Sequence, residues 1–455
     1  MPRRNVTEAP SWLEIEPKLA TAATPANELR LELRVVTPIL GGGVKARTLD
    51  EVDVIRAPSI RGQLRFWWRA LYGHGYETPE ALYDAESKIW GGVAQRRPSE
   101  NSSSTKKSAL RSNVVVRIVA AMKSPQESSD LQADTRFRYA LFASQLGVPQ
   151  TRRINDSFTL RVQRAGALAD GQWSEVRVAV AAFVLFGGLG SRTRRGLGSL
   201  APGQKDQVAA QFFTDAWTLI RSAVGNTPAT RATEFPSLKE ATLLWLSNTD
   251  DPIKVFSDLR QGQPYRQTPD VPDELDRWSA RKNQDGTKRA GVSNWPEPRV
   301  LRRVFGPGAD RFSHPRATDN EPTVYPRSIF GLPIKVQWQR KARAGGQYQE
   351  PIDCILVPAD NNVDRLASSL IVKSVWVEGG LRPVWLLLTR DAPPFGVAVR
   401  KEDVSDKGLY GEGPYPTDAA YFPFPRQADQ STELVDSMER WLSHHQFLGS
   451  RENLT

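Results

Sequence analysis

From Glu28 to Val36 the chain alternates, with Leu31, Leu33 and Val35 on one side and Glu32 and Arg34 on the other. This predicts a strand with one wet face and one face that must be covered. The cover follows. After the start signal Pro58-Ser59, apolar residues Ile60, Leu64, Trp67, Trp68 and Leu71 recur at i, i+4, i+7, i+8 and i+11 before a stop at Gly73, the spacing of a helix with a buried stripe. Strand patterns recur at Asn113 to Ala120 and Ser157 to Arg164. Helical stretches are expected over Glu175 to Phe186 and Asp206 to Val224. Arg96 to Arg111 is polar, basic and low in complexity and reads as a mobile insertion. The Pro- and Thr-rich stretch Gly225 to Pro236 reads as a linker, dividing the chain at 1–235 and 236–455.

The second half is less regular. Strands are expected at Ala241 to Ser247, Ile329 to Gln337, Ile371 to Val377 and Val384 to Thr389, and helices near Asp273 to Lys282 and Glu433 to His445. Asp391 to Pro425 reads as a loop, and Asp250-Asp251 before Pro252 as a helix start. No short-period repeat is visible, which excludes solenoids and propellers.

Composition narrows the chemistry. The 455 residues are 39% hydrophobic and 25% charged, with 13 Trp, enough to bury sizeable cores. One cysteine, Cys354, excludes an internal disulfide and any multi-cysteine metal site, and points to a reducing compartment. The run Val178 to Gly190 is too short to cross a bilayer, and the N-terminus lacks the apolar core of a signal peptide. The expectation is a cytoplasmic protein without membrane contact, metal or cofactor.

The net charge is +10, and only 16 of the 61 basic residues are Lys. Arg presents a planar fork suited to phosphate, so a polyanion is the first partner to consider, against the bland alternative of an Arg-rich proteome. The excess lies up to residue 235; the rest is balanced. Within the predicted helix Arg61, Arg65 and Arg69 recur every four residues, with Arg56 just ahead. No acid occurs between Asp53 and Glu77, which argues against a local salt-bridge ladder. Trp67 and Trp68, on the stripe, read as core and not as base-stacking platforms. The turn Thr37-Pro38-Ile39-Leu40-Gly41-Gly42-Gly43, with Lys45 after it, precedes this helix.

The second cluster is Gly187-Gly188-Leu189-Gly190-Ser191-Arg192-Thr193-Arg194-Arg195-Gly196-Leu197-Gly198, a backbone able to approach a ligand closely, with arginines to hold phosphate. No Gly-Lys-Ser/Thr occurs, which excludes a P-loop. Gly196-x-Gly198-x-x-Ala201 fits a loose dinucleotide fingerprint, but Pro202 follows where a helix should begin.

These blocks carry a resemblance. The strand ending in Thr37-Pro38 and Gly-Gly, Ile55-Arg-Ala-Pro-Ser-Ile-Arg-Gly-Gln-Leu-Arg-Phe-Trp-Trp-Arg-Ala70, and Gly-Gly-Leu-Gly-Ser-Arg-x-Arg-Arg-Gly-Leu-Gly resemble the RAMP superfamily of CRISPR proteins. The Trp-Trp helix resembles more narrowly the family of first-numbered Cmr subunits at the head of the type III-B effector complex. The match covers Thr37 to Tyr72 and Gly187 to Leu200, with a fainter echo at Phe330 to Ile334. It implies an α+β fold of two tandem ferredoxin-like (RRM-like) βαββαβ domains with loop insertions. It also implies a non-catalytic subunit that grips the 3′ region of CRISPR RNA or the paired target RNA in antiviral defence, beside other RAMP and Cmr subunits.

The residues placed at that RNA are Arg56, Ser59, Arg61, Arg65, Arg69, Gly41, Gly42, Gly43, Lys45, Gly188, Gly190, Ser191, Arg192, Arg194, Arg195 and Gly196. One alternative is metal-independent cleavage of repeat RNA through His74, which stands just past the helix in Gly73-His74-Gly75, where a surface turn is the plainer explanation. Another is a purely structural assembly subunit.

Overall fold

The computed structural model describes residues 27–41, 55–92, 109–120, 126–127, 150–152, 157–203, 206–228, 235–251, 253–256, 295–305, 316–317, 319–320, 322–338, 349–377, 380–402, 408–416, 434–444 and 446–454. The insertion expected at Arg96 to Arg111, apart from its last residues, and the helix expected at Asp273 to Lys282 lie outside these.

In the first half the elements run β1 (Glu28–Val35), β2 (Ile39–Leu40), α1 (Ala57–Tyr72), α2 (Pro79–Trp90), β3 (Val114–Ala120), β4 (Gln126–Glu127), β5 (Gln150–Arg152), β6 (Ser157–Arg164), α3 (Asp170–Phe186), β7 (Leu200–Pro202) and α4 (Asp206–Asn226). The main sheet has the order β3-β6-β1-β7, and its pairs are all antiparallel. Counting its strands 1 to 4 along the chain, this is 4-1-3-2 with α1 and α3 as the crossovers, the ferredoxin-like βαββαβ arrangement. Leu33, Val35, Phe158, Leu160 and Val162 turn inward, as the alternation requires, and pack on the stripe of α1. Strands β2, β5 and β4 form a small side sheet.

The second half continues with β8 (Ser237–Leu246), α5 (Glu297–Phe305), β9 (Ile334–Val336), β10 (Cys354–Pro358), β11 (Leu370–Val377), β12 (Gly380–Thr389), β13 (Val397–Lys401), β14 (Tyr410–Gly413), α6 (Leu434–His444) and β15 (Leu448–Asn453). The sheet β11-β12-β8-β15 is again antiparallel and again reads 4-1-3-2. The α+β, twice ferredoxin-like expectation therefore holds, with a third sheet, β14-β13-β10-β9, built from two insertions. This sheet crosses the stretch read as loop. Its core gathers Val300 and Leu301 from α5 with Ile334, Cys354, Leu356, Val397 and Val399. Burial pushes the Cys354 thiol up to about 12, so it is a packing residue.

The two units share a core. One face of the second sheet, through Leu243, Trp245, Val375, Val384 and Leu386, joins the same cluster as α1, α3 and α4. Phe213 of α4 meets Trp245 of β8 edge to face at 5.6 Å, and Phe186 of α3 meets Trp217 of α4 at 5.8 Å. The other face, through Leu244, Leu246, Val372 and Trp385, packs on Ile253, Phe256 and the Met438, Trp441 and Leu442 of α6. Both faces are covered, which explains the near-continuous apolar run of β8. Position between sheets likewise explains why α3 is buried all round from Val178 to Phe186.

Some local expectations need correction and others hold. Helix α2 is absent from the sequence reading although Thr78 caps it, accepting from the Ala81 N–H at 3.1 Å. The strand expected at Ile329 to Gln337 begins only at Ile334, because Pro326–Phe330 is a 3-10 turn closed by Gly331 at φ 98. Asp251 does start a helical turn, its Oδ1 accepting from the N–H groups of Ile253 and Lys254 at 3.0 and 2.9 Å. Trp67 and Trp68 are buried in the shared core. Trp67→Ala is expected to cost about 3–5 kcal/mol in urea or guanidinium unfolding, because the helix cannot collapse into the space between two sheets.

Candidate nucleic-acid interface

Two segments some 150 residues apart in sequence close on each other. Past β1, the Thr37 hydroxyl donates to Gly196 O at 2.6 Å and accepts from Ser199 N–H at 2.8 Å. The Gly198 N–H donates to Pro38 O at 2.9 Å, and the Ser191 N–H to Leu40 O at 2.7 Å. The loop after α3 is thereby laid along β2, beside the turn that opens at Gly41. Gly190 sits at φ 78, where a Cβ would fall 2.6 Å from Leu40 O, so the approach requires glycine. Gly190 and Ser191 are exposed, whereas Gly188 and Gly196 are buried. Gly42, Gly43 and Lys45 lie outside the described residues.

The second unit holds the other side of the loop. The Val372 N–H of β11 donates to Arg194 O at 3.0 Å. The Lys373 ammonium, 1% exposed, donates to Gly187 O at the end of α3. Leu197 enters the core of the second sheet, and a Cβ on Gly196, at φ 88, would strike Ile253 at 2.4 Å. Desolvation draws Lys373 down to about 7.

The arginines divide into two groups. Arg65 Nε donates to Glu86 Oε1 at 2.6 Å, and Arg69 takes the same carboxylate in a fork, Nε to Oε2 and Nη2 to Oε1, both at 2.9 Å. Glu86 is 1% exposed on α2. The absence of nearby acids in sequence therefore misled, because the neutralising acid arrives 17 and 21 residues later. Arg194 turns inward as well. Its guanidinium lies 4.7 Å over the ring of Phe66 and donates to Ser368 O. Burial, with help from Arg390, draws it down to about 10. Arg65, Arg69 and Arg194 thus serve the fold.

What remains toward solvent is Arg61, exposed and without an ion pair among the described residues, with exposed Ser59 and half-buried Arg56, Arg192 and Arg195. The first turn of α1 carries no acid and no side-chain cap; Pro58 has no N–H and the Ser59 and Ile60 N–H groups donate to Arg56 O at 3.0 and 3.3 Å, so what the turn offers an anion is the positive end of the helix dipole. Arg192 takes φ 64, which only a residue fixed by its surroundings tolerates. The loop meets α1 at Phe66, five residues or about 7.5 Å along the axis from Arg61. The two predicted elements are therefore adjacent, with Arg65, Arg69 and Arg194 turned to the fold.

His74 is not on a surface turn. It is 3% exposed, its Nδ1 lies 3.4 Å from the Ser237 hydroxyl, and burial lowers its pKa. The contacts the sequence reading missed had faint signals: Glu86 lies on the apolar stripe of Leu82, Ile89 and Trp90, and Lys373 interrupts a strand of buried residues.

Residues 32–201, from β1 to β7, match the family model of the RAMP superfamily. The match is to this segment, somewhat over a third of the chain. It contains β2, α1 and the glycine- and arginine-rich loop in one stretch. No curated protein matches the chain by sequence. Among solved structures the chain is similar to apo Cmr1 from Pyrococcus furiosus, at 16% identity and TM-score 0.46, covering 84% of this chain and 93% of that one. It is similar also to chains in two cryo-EM structures of type III-B Cmr-β bound to cognate target RNA. One, at 10% identity and TM-score 0.43, covers 84% of this chain and 97% of that one. The other, with AMPPnP and in the presence of ssDNA, is 10% identical at TM-score 0.41 and covers 80% and 94%. No described helix is long and apolar enough to cross a membrane.

Two outcomes follow for these buried charges. Arg65→Ala with Arg69→Ala strands a buried carboxylate and is expected to cost about 3–5 kcal/mol in denaturant unfolding, against less than about 0.5 for Arg61→Ala. A lysine whose folded pKa is lowered binds fewer protons folded than unfolded, so between about pH 7 and the usual lysine range its contribution to stability rises with pH. Lys373→Met should thus gain most over the parent at pH 7 and lose that advantage toward pH 10, read from urea midpoints.

Proposed function

We propose that the chain is a non-catalytic RNA-binding subunit of a type III-B CRISPR (Cmr) RNA-guided effector complex, cytoplasmic and acting in antiviral defence. Its ligand is the 3′ region of CRISPR RNA or the target strand paired with it, and its protein partners are other RAMP and Cmr subunits. The reading rests on one juxtaposition above all: α1, free of acids and carrying Arg61, meets at Phe66 the loop whose exposed Gly190-Ser191 stretch is laid along β2. Backbone amides and guanidinium forks suit a sugar-phosphate strand. The match of residues 32–201 to the RAMP family supports it. The burial of His74 favours binding over cleavage, since a buried ring has no access to a phosphodiester.

Arg61, exposed, and Arg56, half-buried just ahead of α1, are the arginines placed at phosphates. Log K for a short single-stranded RNA should therefore fall against log salt with a slope of about −1.4 or steeper. Arg61→Glu is expected to weaken RNA binding about tenfold or more at low salt without moving the unfolding midpoint. Unchanged affinity, or a slope near zero, would leave the chain as an assembly subunit. Cleavage of repeat RNA in EDTA that disappears in His74→Ala would restore the processing alternative.

A further inference from the structure

The outer face of the first sheet belongs to none of the contacts described so far. Its inward face is apolar; outward along β1 stand Glu28, Arg30, Glu32 and Arg34, along β6 Ser157, Thr159, Arg161 and Gln163, and along β3 Val115, Arg117 and Val119. The register sets Arg117 opposite Arg161 and Arg161 opposite Arg30. Three guanidinium groups thus occupy one row across three strands, about 5 Å from strand to strand.

Like charges directly opposite each other destabilise a sheet, so this row is a cost that the fold does not explain. One carboxylate relieves it in part. Glu28, a rung away, binds the Nε and Nη2 of the central Arg161 and also accepts from Gln163 Nε2 at 2.9 Å. Arg30 and Arg117 are exposed and make no ion pair among the described residues. Glu32 is the other acid on the face, against four arginines. Arg34, two rungs from Arg30, lies 4.3 Å over the ring of Trp376 from β11. The same strand β1 then leads through Thr37 to β2 and the glycine turn.

We infer that the outer face of the β3-β6-β1 sheet is a second contact surface for a single-stranded nucleic acid, along which a strand leaving the loop groove lays its phosphates on Arg30 and Arg117. The inference rests on the RNA-binding reading above and extends it. Charge complementarity carries it: the exposed groups are Arg forks, which match phosphate oxygens in pairs. A protein partner would want an apolar centre ringed by polar groups, and here the centre of the face is the arginine row. No aromatic residue of β1, β3 or β6 points outward, so this surface grips the backbone without reading bases. Arg30 lies four residues, about 13 Å, up the strand from Arg34. The surface is therefore reached only by a ligand longer than the loop groove itself requires.

The test compares single-stranded RNA of about 6 and about 20 nucleotides on the full chain. Arg30→Ala with Arg117→Ala should weaken the 20-mer about tenfold at low salt and make its salt slope shallower by about 1.4, with the 6-mer and the unfolding midpoint unchanged. If the 20-mer binds the double variant as it binds the parent while Arg61→Glu still loses affinity, the sheet face is not a contact and only this inference falls. Loss for neither variant would remove the groove reading as well. Unaltered RNA binding, with release of an acidic protein subunit from the double variant, would assign the face to protein and overturn the inference.

Discussion

The loop that follows α3 is pinned from two directions, and the rest of the arrangement depends on that. On one side Thr37, Pro38 and Leu40 take its amides and carbonyls. On the other, Val372 and Lys373 of β11 bind Arg194 O and Gly187 O, and Ile253 fills the space beside Gly196. A glycine-rich segment left alone would lose much conformational entropy on ordering. Here that cost is met by a core that both units share, so the exposed Gly190-Ser191 stretch is fixed before any ligand arrives. The charge-balanced second half thereby acquires a role in the N-terminal site without supplying a basic surface of its own.

Basic composition and free positive surface are different things in this chain. Arg65 and Arg69 neutralise Glu86, and Arg194 spends its guanidinium on Phe66 and a carbonyl of the second unit. Arg161 is held by Glu28. What these pairs leave is a smaller set: Arg61 at the start of α1, and Arg30 and Arg117 on the open sheet. Their shared property is exposure without an ion pair among the described residues, which suits them to an anion from solution.

Much of the fold was legible because local and tertiary demands agree. The alternation in β1 and the i, i+4, i+7 stripe of α1 are each dictated by burial of one face, and both elements fall where the pattern puts them. The third sheet was hidden because its strands are short and come from two insertions separated by a complete hairpin; nothing in Asp391 to Pro425 alternates long enough to announce β13 or β14. At the site, glycine at positions 190 and 196 was readable as a demand for close approach. The fate of the arginines was not, because an ion pair between α1 and α2 depends on which faces meet, and residue spacing within one helix says nothing of an acid on the next.

The central claim is that the first turn of α1 and the loop along β2 form one surface for a nucleic-acid strand. Amide hydrogen exchange of the full chain with and without single-stranded RNA tests it most directly. The account predicts added protection together in peptides covering residues 57–64 and 187–196. Protection confined to one of the two, or to the second half alone, would contradict it.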